Sequence, residues 1–385
     1  MPHITLVLYI KLCDRVFANS LIISIGYFSG VRLTITFHLQ NRYTNSLYES
    51  YFDTYQMDTT IVSENKWGKR IFPIALSVCV VFLILYTILG FLGVTIPSGS
   101  QDSIGRVSGW CERVSSSIFR EPVNALSNIG FMVAGLLMIR VLSRDLKNPR
   151  DRNQFHGFTP VSILYAGTTI YLGIGSMLMH GTHTSWGGWA DNLSMVMYIL
   201  VPWLINLKEM GRWSLRRFFI VYTAIVLVYS LTRWILGSKL GINLDVFDVS
   251  IALWIISEVL FQFWSPKLRW ISGFVGFAVA AIFGIMPSDI FSDIYKHWWV
   301  ILFWIPAVLS PNLPRMKRTY SPWAFGGIFS FLVAYMIWLR GYPDSPYCDP
   351  DSLIQPHAIW HLTTAFSTWC FFKFLRTERD FKVTS

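Results

Sequence analysis

The sequence predicts an all-α fold, a polytopic transmembrane helical bundle of about ten spans. Three observations carry that expectation: charge is scarce, apolar runs of spanning length recur along the chain, and lysine and arginine collect at alternate ends of those runs. Of 385 residues, 53% are hydrophobic and 14% charged, against about 25% charged in a soluble globule. Such a chain has too little polar surface to cover a water-soluble core. In a bilayer the outward positions are free to be apolar. The 17 Trp and 17 Tyr suit the two membrane interfaces. A net charge of +10 would point to nucleic acid only if it were gathered on a soluble domain. Here it is spread over short loops, so no nucleic-acid partner is expected.

In chain order, residues 1–56 read as an N-terminal extension outside the bundle. Their apolar segment 16–31 is short and interrupted by Gly26 and Gly30. It fits an interfacial helix, a targeting segment, or an upstream reading-frame artefact, since Met57 opens a sensible cytoplasmic leader; the last is preferred. Residues 57–100 hold a leading transmembrane helix in the run 71–96. Residues 101–385 form the main membrane domain, with runs at 124–142, 158–180, 190–207, 217–237, 244–264, 270–287, 296–311, 322–340 and 356–375. The runs 270–287 and 296–311 are short and carry Pro287 and Pro306, so they are two tilted spans or one broken pair. With residues 66–70 placed inside, the inner loops hold 21 lysines and arginines and the outer loops 7. That asymmetry orients the bundle and puts the C-terminus in the cytoplasm.

Ionisable residues within a membrane are costly, so each is a functional candidate. Three stretches gather at the outer, non-cytoplasmic ends of helices. One ends 158–180 with Ser176 and His180; one opens 190–207 with Asp191; one opens 356–375 with His357 and His361. His357 and His361 stand i, i+4 on one helix face, a spacing that lets two ring nitrogens reach one ion. His180 falls at the same depth, and three neutral imidazoles leave a fourth position for water, the layout of a catalytic zinc. Ser176 lies one turn below His180, and Asp191 follows across a tight turn. A carboxylate there can take a proton from an activated water. His183 and His297 read as interfacial residues, His156 as a solvated loop residue, and Glu258 as snorkelling or paired. Ahead of 124–142, Glu121 and Pro122 suit a helix start. Asn124, Ser127 and Asn128 then form a polar stripe that faces either another helix or the site. Of five cysteines none forms a CxxC; Cys79 and Cys370 sit in apolar runs, Cys111 and Cys348 in two long polar loops.

Together these stretches resemble the alkaline ceramidase family, within the superfamily of seven-helix membrane hydrolases and adiponectin-receptor-like proteins. The matching pieces are Trp110-Cys111-Glu112, then Glu121, Asn124, Ser127 and Asn128, then Ser176, His180 and Asp191, and finally Gln355, His357, Ala358, Trp360 and His361. The resemblance implies a seven-helix core plus extra helices. It implies a zinc ion held by His180, His357 and His361, with Asp191 acting on water and Ser176 near the oxyanion. The implied reaction is hydrolysis of ceramide or a related N-acyl lipid to a sphingoid base and a fatty acid. It also implies a disulfide between Cys111 and Cys348, and a calcium ion near the first outer loop. Here Gly109 stands where the family has an Asp, leaving Glu112 and Glu121 as candidate calcium ligands. Calcium takes six to eight oxygens, so that site is read as degraded. The alternative function is a receptor-like or lipid-sensing protein that uses the metal scaffold without turnover; it has no need of Ser176 and Asp191. A transporter or assembly factor would need half-helices broken at mid-membrane, hinted at only by Pro287 and Pro306. The sequence is silent on oligomeric state and acyl-chain preference.

Overall fold

The computed structural model describes residues 19–28, 31–39, 70–95, 103–145 and 153–380. Two compact units divide the chain, Met1–Glu64 and Asn65–Ser385. In the first, strands β1 (Asn19–Phe28) and β2 (Val31–Leu39) form an antiparallel pair, closing with Phe28 opposite Val31. The interfacial helix that was one reading of 16–31 is therefore corrected, over Asn19–Phe28, to a strand paired antiparallel with β2. The physical reason is the density of β-branched residues, from Ile22, Ile23 and Ile25 to Thr34, Ile35 and Thr36.

The second unit is helical. Among the described residues, six helices are long and apolar enough to cross a membrane. They are α1 (Arg70–Phe91), the pair α2 (Pro122–Ser127) and α3 (Ile129–Asp145) taken as one rod, α4 (Pro160–Thr182), α5 (Ser185–Met210), α6 (Leu215–Leu236) and α7 (Val246–Phe263). Helices α1 and α6 leave most of their apolar side chains uncovered, including Val81, Leu85, Leu227 and Leu231. Such a surface is stable only against lipid or another apolar partner. The runs 270–287 and 296–311 do not make span-length helices. They fold as α8 (Pro266–Ile271), α9 (Phe274–Ile282), α10 (Pro287–Ser292), a 3-10 turn at Trp298–Trp304 and α11 (Ile305–Leu309). Gly284 adopts φ 83°, and Pro287 and Pro306 each open a new short helix, so the broken alternative describes this region. Helix α12 (Trp323–Trp338) is apolar but 16 residues long. Helix α13 (Pro356–Leu375) has 20 residues, and its histidines and threonines make it less apolar.

Helix starts follow local chemistry. Thr159 and Ser162 form a reciprocal capping box at α4, and Thr184 accepts from Gly187 N–H at the head of α5. At α2 the preceding Glu121 makes no side-chain cap. Instead the Glu112 carboxylate, from the loop before it, accepts the Val123 and Asn124 N–H groups at 2.7 and 2.8 Å. Helix α4 is the centre of the bundle, packed between α3 and α5 and touched by α2, while α13 lies against α2, α3 and α12. Helices α4 and α5 approach closely where Gly175 meets Ala190 and Ser194. A Cβ at Gly175 would come within 2.6 Å of the Ala190 carbonyl.

At the other end, Arg318 is fully buried. Its guanidinium reaches Glu258 at 2.9 Å, Glu378 at 2.8 and 2.9 Å and the Asn206 amide oxygen at 2.6 Å. Tyr320 donates to Glu258 at 2.7 Å, and Phe261 lies against the guanidinium face. Glu258 is thus paired. This cluster joins α5 and α7 to the segment after α13, where β3 (Met316–Lys317) pairs with β4 (Arg379–Asp380). Removing one partner of a buried ion pair strands the other charge. Arg318→Ala is therefore expected to destabilise the fold by about 3–5 kcal/mol, read as earlier thermal unfolding of the solubilised protein. An unchanged midpoint would refute it.

Candidate metal centre

The last turn of α4 and the first two turns of α13 meet beside the start of α2. There His180, His357 and His361 are 2%, 5% and 3% exposed, and one ligand atom from each lies within 4.8 Å of the others. The Nε2 atoms of His180 and His357 are 3.0 Å apart, a separation that a shared ion or proton would have to reconcile. Helical spacing puts His357 and His361 on one face with ring centroids 4.4 Å apart. The left-handed turn at His183, φ 51°, ends α4 and lets α5 fold back against it.

The three rings are not held alike. His180 Nδ1 lies 2.9 Å from Glu121 Oε2, and Glu121 Oε1 lies 2.5 Å from His183 Nε2. His361 Nδ1 lies 2.8 Å from Ser127 Oγ and 3.1 Å from the Asn124 carbonyl oxygen. Ser127 donates to that same carbonyl at 2.7 Å, so its oxygen is left to accept from His361 Nδ1–H. Both networks put the ring proton on Nδ1 and turn the Nε2 lone pair inward, as a metal ligand requires. The polar stripe of α2 therefore packs behind His361. His357 Nδ1, by contrast, is buried and has no hydrogen-bond partner among the described residues. A donor set of three neutral imidazoles fits zinc.

Ser176 Oγ is 3.5 Å from His361 Nε2, and the Asp191 carboxylate lies nearby. Asp191 is 9% exposed and within electrostatic reach of His180. Ser176, His180, Asp191, His357 and His361 are all buried, and the three histidines and Ser176 come within reach of one another. Cys111 and Cys348 are joined by a disulfide, with Cα atoms 5.6 Å apart. Beside it, Arg113 N–H donates to the Pro350 carbonyl, and the Arg113 guanidinium forks onto Asp351 at 2.6 and 2.8 Å.

Glu112 and Glu121 are engaged elsewhere than in a calcium site. Both Glu112 oxygens accept backbone N–H groups, and both Glu121 oxygens face histidine rings. Burial pushes the Glu112 carboxyl up, opposed by the Asn124 and Val123 N–H groups. Burial would raise Glu121 as well, but His180 and His183 on its two oxygens hold it well below the usual carboxylate range. With these oxygens committed, the residues present do not fit a calcium ion that needs six to eight of them. Sequence reasoning missed the bridging role of Glu121. The signal available was the i, i+3 spacing of His180 and His183, which puts both rings on one side of the chain's turn.

A family model described as Ceramidase matches residues 107–382, a span that contains every residue of this centre. Among curated proteins, none matches the chain.

Proposed function

The chain belongs to the ceramidase family, and from that premise we propose that it is a zinc-dependent hydrolase cleaving the amide bond of ceramide or a related N-acyl lipid within the membrane. The products are a free amine, the sphingoid base, and a fatty acid. The observation that carries this reading is the buried triad of His180, His357 and His361 beside an acid and a hydroxyl. His180, His357 and His361 would hold zinc, which when bound polarises a carbonyl and acidifies water. Asp191 accepts a proton from the attacking water at its carboxylate and returns it to the departing amine nitrogen. Ser176 is the hydroxyl nearest His361 Nε2; it donates to the carbonyl oxygen as negative charge develops there. Glu121, Ser127 and Asn124 hold two of the rings in the ligating tautomer.

The reading extends to the membrane. We take the protein to be integral and multi-pass, a seven-helix core with extra helices, with the metal centre near the non-cytoplasmic face and the C-terminus in the cytoplasm. The lysine and arginine asymmetry and the six long apolar helices support this. A site buried among helices suits a substrate that arrives from lipid.

The test is release of both products from a synthetic N-acyl sphingoid lipid by the purified, detergent-solubilised protein. Release is expected to stop with a zinc chelator and to return when zinc is restored. Turnover indifferent to chelation removes the metal from the reaction. No release from any of a panel of N-acyl lipids by zinc-loaded protein favours the receptor-like alternative.

A further inference from the structure

Two of the three imidazoles are oriented by hydrogen bonds at Nδ1, and the third is not. A ligating histidine commonly donates its other ring nitrogen to an acceptor, which fixes both tautomer and ring angle. At His357 an aromatic face occupies that role. The Trp110 indole is stacked on the His357 ring with centroids 4.5 Å apart and planes 19° from parallel. On its other sides the indole meets Trp338 and Tyr342 at 5.8 and 6.1 Å. It also stands edge-on to His180 at 6.4 Å.

The backbone that carries the indole is held from behind. The Trp110 backbone N–H donates to Ser108 Oγ, and the next residue, Cys111, carries the disulfide to Cys348. Glu112, one further on, is fastened to the head of α2. The Arg113 fork on Asp351 closes the strap. The chain on both sides of the contact is therefore fixed, since Cys348 and Asp351 lie just ahead of the helix that bears His357.

We infer that Trp110 is a positioning residue of the metal centre, its indole face fixing the His357 ring for ligation where no hydrogen bond does so. The physical basis has two parts. A flat stack at this distance resists rotation of the imidazole about its own side-chain bond, and it shields the Nδ1 edge from water. An imidazole bound to a divalent cation is also electron-poor, and indole is the aromatic face that attracts positive charge best. The contact therefore tightens when metal binds. Ordinary packing would make the indole interchangeable with any apolar side chain of like size.

This inference rests on the zinc reading above, and the experiment separates the two. Zinc content and affinity are measured by chelator competition on the full-length solubilised chain, and the cobalt-substituted protein is examined by visible absorption. Trp110→Leu is expected to weaken zinc binding by about 10–100-fold and to shift the cobalt bands, while Trp110→Phe, which keeps a ring, restores most of both. Trp338→Leu, which changes a neighbour of Trp110 that makes no ring contact with His357, is expected to keep wild-type affinity. Equal zinc affinity and equal cobalt spectra in wild type, Trp110→Leu and Trp110→Phe overturn the inference. So does a loss in Trp338→Leu as large as in Trp110→Leu. If Trp110→Leu does not fold, Trp110→Met takes its place against Trp110→Phe on the same criteria. A wild-type chain that binds no zinc instead defeats the underlying metal reading.

Discussion

His361→Ala is expected to lose both zinc and lipid-amide hydrolysis. His361 is one of only three imidazoles at the centre, it is 3% exposed, and its Nδ1 is held by Ser127 and Asn124 so that Nε2 has a single orientation. Alanine leaves two of the three imidazoles that could hold the ion. A Lewis acid at a polarised carbonyl supplies several kcal/mol, and a loss of about 4 kcal/mol corresponds to roughly a thousandfold in rate. Metal analysis of the purified variant and product release from an N-acyl lipid are read on one sample. A variant that keeps full turnover sinks the assignment, and one that keeps zinc but not turnover moves His361 from the ligand set to the reaction itself.

Asp191→Asn is expected to behave in the opposite way on the first measure and similarly on the second. Asparagine preserves shape, and Asp191 is outside the His180, His357 and His361 cluster, so zinc content stays at the wild-type level. It cannot take up a proton at neutral pH, so turnover falls by about 10²–10⁴-fold, the usual contribution of a positioned general base. Comparing the two variants separates holding the metal from moving the proton. Turnover of Asp191→Asn close to wild type would take Asp191 out of the proton path.

The parts of the site legible in the sequence were those set by local geometry. The i, i+4 pair on α13 follows from helical period alone. What needed coordinates was long-range. Glu121 and His180 are 59 residues apart, and the i, i+3 spacing of His180 and His183 does not say which carboxylate lies across them. The same holds for Glu112, which caps a helix 11 residues away instead of binding a cation. The fold shows the same division. Runs ending in clean caps, such as 158–180, became single helices, because propensity and hydropathy agree there. Between 270 and 311 the composition is as apolar as in any span, yet Pro287, Pro306 and the left-handed Gly284 cut the backbone into short pieces. Apolar content reports the solvent a segment tolerates, whereas backbone breakers decide its shape.

Two of the three histidines that could hold the ion belong to α13, and His357 follows His180 by 177 residues. Synthesis proceeds from the N-terminus, so α4 with His180 is in place well before His357 and His361 leave the ribosome. On the proposed reading, a nascent or truncated chain lodged in the bilayer is chemically inert toward the lipids around it. On that reading, competence arrives when α13 docks and brings two ligands at once. The order of these helices would then act as a safeguard during biogenesis, coupling the first possible turnover to the docking of α13.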